Sequence, residues 1–502
     1  MNHRKQNSLL AAMFLTTAMA LAVYLRTMAP TITLRHNGAD SGDLVTAAIN
    51  LGIPHPTGYP LYTLLAHLFT RLPGEPARNV TLFSALGAAM AVGVVFWAAH
   101  RLITTHEGDG PATLLAAFSA AGVLAFGQLL WSQATIAEVY SLNLLWIALW
   151  LAALLECRSA RPYILAVLSG IGLAHHITAI WLLPALWPYA DAMRRWLTPR
   201  RAFLLLLCLL PGVLSYLYIP LRARAYPYPN WGLAVDLRGL MWVVSGEAYR
   251  RYLGGIAPVQ MLLRLAAWAG VWVRDLGVVG LALALLGLRH GLERDRRFAA
   301  FGLSYMLLVS AYAVLYVTED SYLYLLPAAA VVALWMAWGA YSVLRELSRP
   351  GRSGRQLGVV MVVLLALPLI SIASRYRAMD LSADREAYVT GESLLQAAAP
   401  NALILSRGDS QTFSLWYVRY GLRQRLDVDI IDRYLLALPW YREDLAVRNT
   451  ELSQLLQAQN DQEAALALLS IVGRPVQLAY QDDLLLSQGD WVAEGQLYTL
   501  VQ

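Results

Sequence analysis

Two carboxylates, a histidine and a proline-rich turn stand close together near the start of the chain. They read Asp40-Ser41-Gly42-Asp43-Leu44, then Leu51-Gly52-Ile53-Pro54-His55-Pro56-Thr57-Gly58-Tyr59-Pro60. Asp40 and Asp43 are three residues apart, so on a helix they share a face. A carboxylate on such a face can take a proton from an attacking hydroxyl. The same spacing also fits plain helix capping, with Asp40 as N-cap and Asp43 at N3. Both readings stay open on spacing alone. His55 lies between two prolines, which fix φ and shape a rigid turn. Alone it reads as a surface turn, whereas beside two acids it is a candidate to orient one of them. Tyr59 sits in the same turn.

More polar residues punctuate the apolar sequence that follows. Glu138 comes after Trp131-Ser132-Gln133 and opens a strongly apolar run, where it could pair with a base, bind a sugar hydroxyl, or simply favour a helix N-terminus. His175-His176 falls at a helix break and could contact phosphate or satisfy freed backbone groups. Arg222 and Arg224 follow Tyr216-Leu217-Tyr218-Ile219-Pro220-Leu221. A guanidinium fork suits phosphate oxygens, although interfacial snorkelling also places arginine there. Tyr226, Tyr228 and Trp231 could stack on a sugar or belong to an aromatic belt.

The elements that must hold these residues are membrane helices. Of 502 residues, 58% are hydrophobic and 14% charged, against about 25% charged in soluble domains. The formal charge of +6 comes from short basic clusters between apolar runs, and no aromatic-interleaved basic platform for nucleic acid is present. Cys157 and Cys208 fit neither a disulfide framework nor a zinc motif. The apolar run at Leu9–Met28 lacks a small-residue cleavage site and reads as a retained first helix. Apolar runs predict about eleven spans, near 9–28, 80–101, 112–130, 136–156, 163–175, 176–190, 202–221, 266–288, 298–317, 321–344 and 357–374.

Basic clusters at Arg4-Lys5, Arg158/Arg161, Arg194–Arg201, Arg289–Arg297 and Arg345–Arg355 agree with alternate crossings if they lie in the cytoplasm. The loop 29–79 is then the first outer loop. Asp40, Asp43, His55, Glu138, His175, His176, Arg222, Trp231, Glu319 and Asp320 gather on the same non-cytoplasmic side. The expected setting is a cytoplasmic (inner) membrane. Residues 1–375 form the membrane domain and 376–502 a small extracytoplasmic α/β domain, with strands at Ala402–Ser406 and Val428–Ile431 and a helix from Gln411 to Tyr420. Its segment Ser406-Arg407-Gly408-Asp409-Ser410 is not a glycine-rich phosphate loop.

The Asp40–Leu44 and Gly52–Tyr62 segments together resemble the signature of a GT-C-type family of polytopic membrane glycosyltransferases, the IPT-domain protein O-mannosyltransferases. The resemblance continues through Ala137–Asn143, Gly172–His176, Tyr218–Ala223 and Asn230-Trp231-Gly232. It extends to Asp409, Leu415-Trp416-Tyr417 and Arg425–Val428. Two features differ: the family often has Glu at the position of Asp43, and often a longer C-terminal extension. The resemblance therefore carries donor chemistry further than acceptor choice.

It implies a mostly α, GT-C-type fold and a hexose, with mannose by analogy, carried on a polyprenyl phosphate. The hydroxyl acceptor would be a protein Ser or Thr. The family plan puts the catalytic base at Asp40, with Asp43 as the alternative, in an inverting displacement. Arg222 with His175 or His176 would bind the donor phosphate. His55, Tyr59, Glu138, Trp231 and Asp320 would bind or orient sugar and acceptor. No metal ligand is assigned; the carboxylates could hold a divalent ion, but no oxygen-rich cluster is readable. The rival class is a transporter or flippase of lipid-linked sugar, which would place polar residues at mid-membrane within paired repeats.

Overall fold

The computed structural model describes residues 3–156, 161–471 and 473–501; Cys157 and Arg158 lie outside them. The chain enters on α1 (His3–Thr27) and then leaves the bundle for a loop carrying two short helices, α2 (Ser41–Asn50) and α3 (Pro60–Thr70). It returns on α4 (Pro76–His106), followed by α5 (Pro111–Ala125), α6 (Gln128–Ala134), α7 (Tyr140–Leu155) and α8 (Arg161–His175). Helices α3, α4 and α5 each open on proline, whose fixed φ suits a first helical position and whose missing N–H costs nothing there. Glu75 caps α4 by accepting from the Arg78 amide at 2.5 Å.

Among the described residues, seven helices are long and apolar enough to cross a membrane, and the pair α5–α6, bent by 62°, makes up to eight. The expectation was about eleven spans. All eleven segments are helical, but α7 and α8 have only 16 and 15 residues. The stretch 177–196 is broken into short helical turns around Pro184 and Pro188, because proline within a helix removes a donor and clashes with the preceding turn.

Helix Ser321–Leu347 runs through the core, 94% of its apolar window buried, while Pro199–Ala223 and Gly354–Met379 lie at the periphery, 11% and 17% buried. Close backbone approach seats the core helix. A Cβ on Gly339 would lie 1.9 Å from the Leu283 carbonyl oxygen, so only a small residue lets helix Pro258–Arg294 pack there.

Polar contacts tie each end of the bundle. At one end, buried Glu107 accepts from His290 (2.9 Å) and from Arg345, joining three helices, and Lys5 faces Asp109. At the other end, the Ala29 amide donates to Thr135 O (2.9 Å) and the Leu381 amide to Thr27 O (2.8 Å). Asp40 and Glu138 lie on the segments that follow Ala29 and Thr135 at this second end.

The C-terminal region forms a five-stranded mixed sheet, order β2-β1-β3-β5-β4, with β1 Leu403–Ser406, β2 Asp429–Asp432, β3 Val476–Leu478, β4 Trp491–Glu494 and β5 Leu497–Leu500. β1 pairs in parallel with β2 and β3. Fully buried Leu403, Ile404, Leu405, Ile430 and Ile431 form its centre, as continuous apolar runs do in parallel strands. Helix Asp409–Trp416 connects β1 towards β2 and packs on α2. A Cβ on Gly42 would come 2.3 Å from the Phe413 carbonyl oxygen, so glycine is what permits this seam.

Candidate active site

Asp40 ends a short turn in which His36 and Asn37 hold left-handed φ of 60° and 61°, and it leads directly into α2. Its carboxylate makes no capping hydrogen bond. Asp43 does not reach back to cap either. Its side chain is fully buried, and every partner it has lies elsewhere: Oδ2 accepts from the His55 backbone amide and from His55 Nδ1, both at 2.8 Å, and Oδ1 accepts from Trp231 Nε1 at 3.1 Å. The capping-box reading of the pair is thus not what the fold uses.

His55 turns its other nitrogen, Nε2, to Asp40 Oδ2 at 3.6 Å. The result is a line of three groups, Asp43–His55–Asp40, in which only the last meets solvent: the Asp40 side chain is 35% exposed, those of His55 and Asp43 9% and 0%. Burial alone would depress the His55 pKa, but Asp40, Asp43 and Glu138 outweigh it and lift it to about 10. His55 is therefore an imidazolium over the physiological range. The enclosing protein raises the Asp40 carboxyl; His55 opposes that rise, and Asp320 and Asp43 add to it.

The other walls come from distant parts of the chain. Tyr59 holds a left-handed φ of 37° at the entry to α3, a strained setting for a bulky residue. It meets His55 edge-on at 5.2 Å and stacks on His176 at 6.2 Å. His176 Nδ1 accepts from the Thr178 amide at 3.2 Å, which leaves the proton on Nε2. Its ring also touches Tyr140 and Tyr324. His175, by contrast, is buried behind this layer with Nε2 donating to Val139 O at 2.9 Å.

Glu138 is buried between α6 and α7. Burial, with Asp40 next, raises its carboxyl well above the usual range, and His55 partly opposes this. Asp320, half-buried before helix Ser321–Leu347, lies close enough to act on both Asp40 and Glu138 and borders a cavity of about 230 Å³ with Glu319 and Arg274. Trp231, buried, reaches Phe413 at 6.2 Å and Trp440 at 5.6 Å, so the indole that fixes Asp43 is itself wedged against the C-terminal region.

The structure therefore brings Asp40, Asp43, His55, Tyr59, Glu138, His176, Trp231 and Asp320 together. It does not bring Arg222 to them. Arg222 Nε and Nη2 donate to the carbonyls of Leu51 and Asn50 at 2.9 and 3.1 Å. That is the C-terminal end of α2, ten residues long, and Asp40 precedes the other end. At 1.5 Å per residue the two are about 15 Å apart. Nor does His175 face the cavity. One residue the site gains is Asp409, at the first turn of helix Asp409–Trp416. Its side chain is reached by solvent but walled in; that enclosure, then Asp40 and Asp432, raises its carboxyl to about 7. Its place in the Ser406–Ser410 turn marks it as a loop acid, but nothing local in the sequence points it at α2.

Among the described residues, no cluster of three or more His, Cys, Asp or Glu side chains is arranged to hold a metal ion.

A family model described as the Protein O-mannosyl-transferase TMEM260 N-terminal domain matches residues 40–195, and the TMEM260-associated domain 2 matches 387–465. These two segments carry the Asp43–His55–Asp40 line and the helix that docks on it. The Protein O-mannosyl-transferase TMEM260 of Mus musculus is 28% identical over 82% of this chain and 61% of its own length. The Dictyostelium discoideum protein of that name is 22% identical over 87% of this chain and 59% of its own. The chain thus spans about three fifths of the length of these relatives. Among solved structures, ArnT from Cupriavidus metallidurans bound to undecaprenyl phosphate superposes with a TM-score of 0.59 at 14% identity, over 97% of both chains. The apo Archaeoglobus fulgidus oligosaccharyltransferase gives 0.55 at 12% identity, over 95% of this chain and 70% of that one. By fold the chain is a multi-pass integral membrane protein with a GT-C-like architecture, and in sequence it is similar to the TMEM260 protein O-mannosyl-transferases.

Proposed function

We propose that this protein transfers a hexose, mannose by analogy with its relatives' name, from a polyprenyl-phosphate donor to a hydroxyl of a protein Ser or Thr. Transfer takes place on the non-cytoplasmic side of the cytoplasmic membrane. The observation that carries the reading is the solvent-facing Asp40 at the end of a buried Asp43–His55 pair. A base must be open to substrate, and of the two acids only Asp40 is, with 35% of its side chain exposed against 0% for Asp43. Asp43 has spent its oxygens on His55 and Trp231.

In this mechanism Asp40 accepts the acceptor hydroxyl's proton as that oxygen attacks the anomeric carbon from the face opposite the phosphate. The carbon–phosphate-oxygen bond breaks, and the electron pair leaves on the lipid phosphate. One displacement inverts the anomeric centre. The growing negative charge on the leaving oxygen is offset by the Nε2–H of His176 and the field of the His55 cation, both stronger in the transition state than in the ground state. Asp43 and Trp231 position His55, and His55 positions Asp40. Glu138, Tyr59 and Asp320 line the sugar or acceptor side, joined by Asp409 from the 376–502 domain, which is assigned a role in acceptor use.

The relatives' name supports the acceptor class, and the lipid in the ArnT structure supports the donor class. The test is release of labelled hexose from a polyprenyl-phosphate donor by purified protein, with appearance of a Ser- or Thr-linked sugar on an acceptor polypeptide. The product linkage should have the anomeric configuration opposite to that of the donor. Retained configuration refutes the single displacement. Movement of intact donor across vesicle bilayers without transfer refutes the enzyme reading.

A further inference from the structure

We propose a second phosphate site, for the headgroup of an anionic bilayer lipid, in the arginine-lined cavity between the loop after Arg222 and the C-terminal domain. The cavity measures about 540 Å³ and is bordered by Arg222, Arg419, Arg423, Tyr226, Tyr420 and Asn449, a volume within the ordinary range of ligand pockets. It lies at the C-terminal end of α2, some 15 Å from Asp40 by the rise of that helix. A phosphate bonded to the sugar that Asp40 serves cannot also sit here.

The charges around this cavity do not balance. Its nearby acids are each taken by another arginine: Asp429 by Arg474 at 2.9 Å, Asp427 by Arg425 at 2.9 Å, and Asp444 by Arg448 at 2.6 Å. Arg222 and Arg419 use Nε and Nη2 on backbone carbonyls and keep Nη1. Arg423 is exposed and makes no side-chain hydrogen bond or ion pair among the described residues. Asp429 lines the cavity but is paired with Arg474, and lining Arg448 with Asp444, so Arg222, Arg419 and Arg423 are three guanidinium groups paired with no carboxylate around one hollow; they call for an anion, and the planar fork suits phosphate oxygens.

The rim indicates the source of that phosphate. Leu214, Leu217 and Leu221 are 53%, 52% and 67% exposed and share one face of a peripheral membrane-span candidate, and Leu221 adjoins Arg222. A bare apolar surface on the same helix that supplies Arg222 to the cavity matches a molecule with hydrocarbon chains on one side and a phosphate at the end. A soluble anion would use the arginines and ignore the apolar surface.

The test is native mass spectrometry of the full chain in detergent micelles, titrated with phosphatidylglycerol or with phosphatidylcholine of the same chains. Phosphatidylglycerol should be retained in preference. Arg423→Glu should weaken it by about 10-fold or more, since a charge-assisted contact is exchanged for a repulsion. Arg423 is exposed and supports nothing else, so the fold should persist. Arg385→Glu, an equal charge change elsewhere on the C-terminal domain, should leave retention unchanged, and so should Asp40→Asn, whatever becomes of sugar transfer. Equal retention of the two lipids, or equal losses in Arg423→Glu and Arg385→Glu, overturns the proposal. Displacement by millimolar inorganic phosphate overturns the lipid as the source, and displacement by an acidic peptide overturns it in favour of a polypeptide.

Discussion

Asp40→Asn and Asp43→Asn are the same chemical change three residues apart, and the geometry predicts opposite consequences. Asp43 is fully buried and accepts three hydrogen bonds, two from His55 and one from Trp231. An asparagine has one acceptor oxygen. If that oxygen faces His55, the amide nitrogen faces the Trp231 N–H, donor against donor; if it faces Trp231, two donors of His55 lose their acceptor. Either way a buried donor is orphaned, at about 1–3 kcal/mol. The carboxylate opposite the buried imidazolium is also gone, and removing one member of a buried pair costs about 3–5 kcal/mol. Because these terms overlap, a net loss of about 3–5 kcal/mol is expected. Asp40 makes no cap bond and has one ionic contact, at 3.6 Å, with a third of its side chain in solvent. Such a contact is worth less than about 1 kcal/mol, whereas loss of a general base costs about 10²–10⁴ in rate. Thermal unfolding of the detergent-purified variants gives the first quantity. Turnover with a polyprenyl-phosphate mannose donor, at matched folded protein, gives the second. Equal destabilisation by the two changes, or turnover within tenfold of wild type for Asp40→Asn, would refute the division of labour.

Gly42→Ala should separate the C-terminal domain from α2, since the new methyl group would lie 2.3 Å from a backbone oxygen; faster proteolytic cleavage near residues 380–385 is the readout, and unchanged cleavage counts against the seam. Activity should climb over a pH range above the ordinary carboxylate value of 3.8, because the protein raises Asp40, and should fall again as His55 deprotonates near pH 10; a flat profile across both limbs would contradict this. The folded protein binds the His55 proton more tightly than the unfolded chain does, so that stabilisation is complete below the ordinary histidine pKa of 6.5 and fades as pH rises through about 10. The pH dependence of the unfolding midpoint, wild type against His55→Gln, should show the difference shrinking in that window. For orientation, Gln459→Cys in a background without Cys157 and Cys208 should react with a membrane-impermeant thiol reagent in intact cells; protection until lysis would reverse the assigned side.

The parts of the site that the sequence made legible were those set by short-range spacing or by topology. Asp40, Asp43 and His55 fall within one loop, so a turn built from prolines brings them together with little help. Glu138, His176, Trp231 and Asp320 could be gathered only by counting helices, and the connections at one end of the bundle do gather them. What escaped was decided by tertiary competition. The i,i+3 acids looked like a capping box, but Asp43 found better partners in His55 and in Trp231, 188 residues away. Arg222 looked like a phosphate ligand for the donor, but the unpaired carbonyls at the end of α2 claim two of its nitrogens. The expected eleven spans exceed the seven or eight helices long and apolar enough to cross because hydropathy also registers the short α7 and α8 and the broken stretch 177–196. Asp409 belongs to the family resemblance, but its place beside α2 depends on how the last quarter of the chain docks, which spacing does not show.

That docking makes the site a product of the order in which the chain is made. Asp43 leaves the ribosome early, while Phe413, whose carbonyl sits against Gly42, and Trp440, against which Trp231 is wedged, come some four hundred residues later. At about 5–20 residues per second, Asp43 waits roughly 20–80 s for them, and Trp231 about 10–40 s for Trp440. During that interval the indole holding Asp43 has no wall behind it. A half-made chain in the membrane thus carries every residue of the Asp43–His55–Asp40 line without the clamp that fixes it.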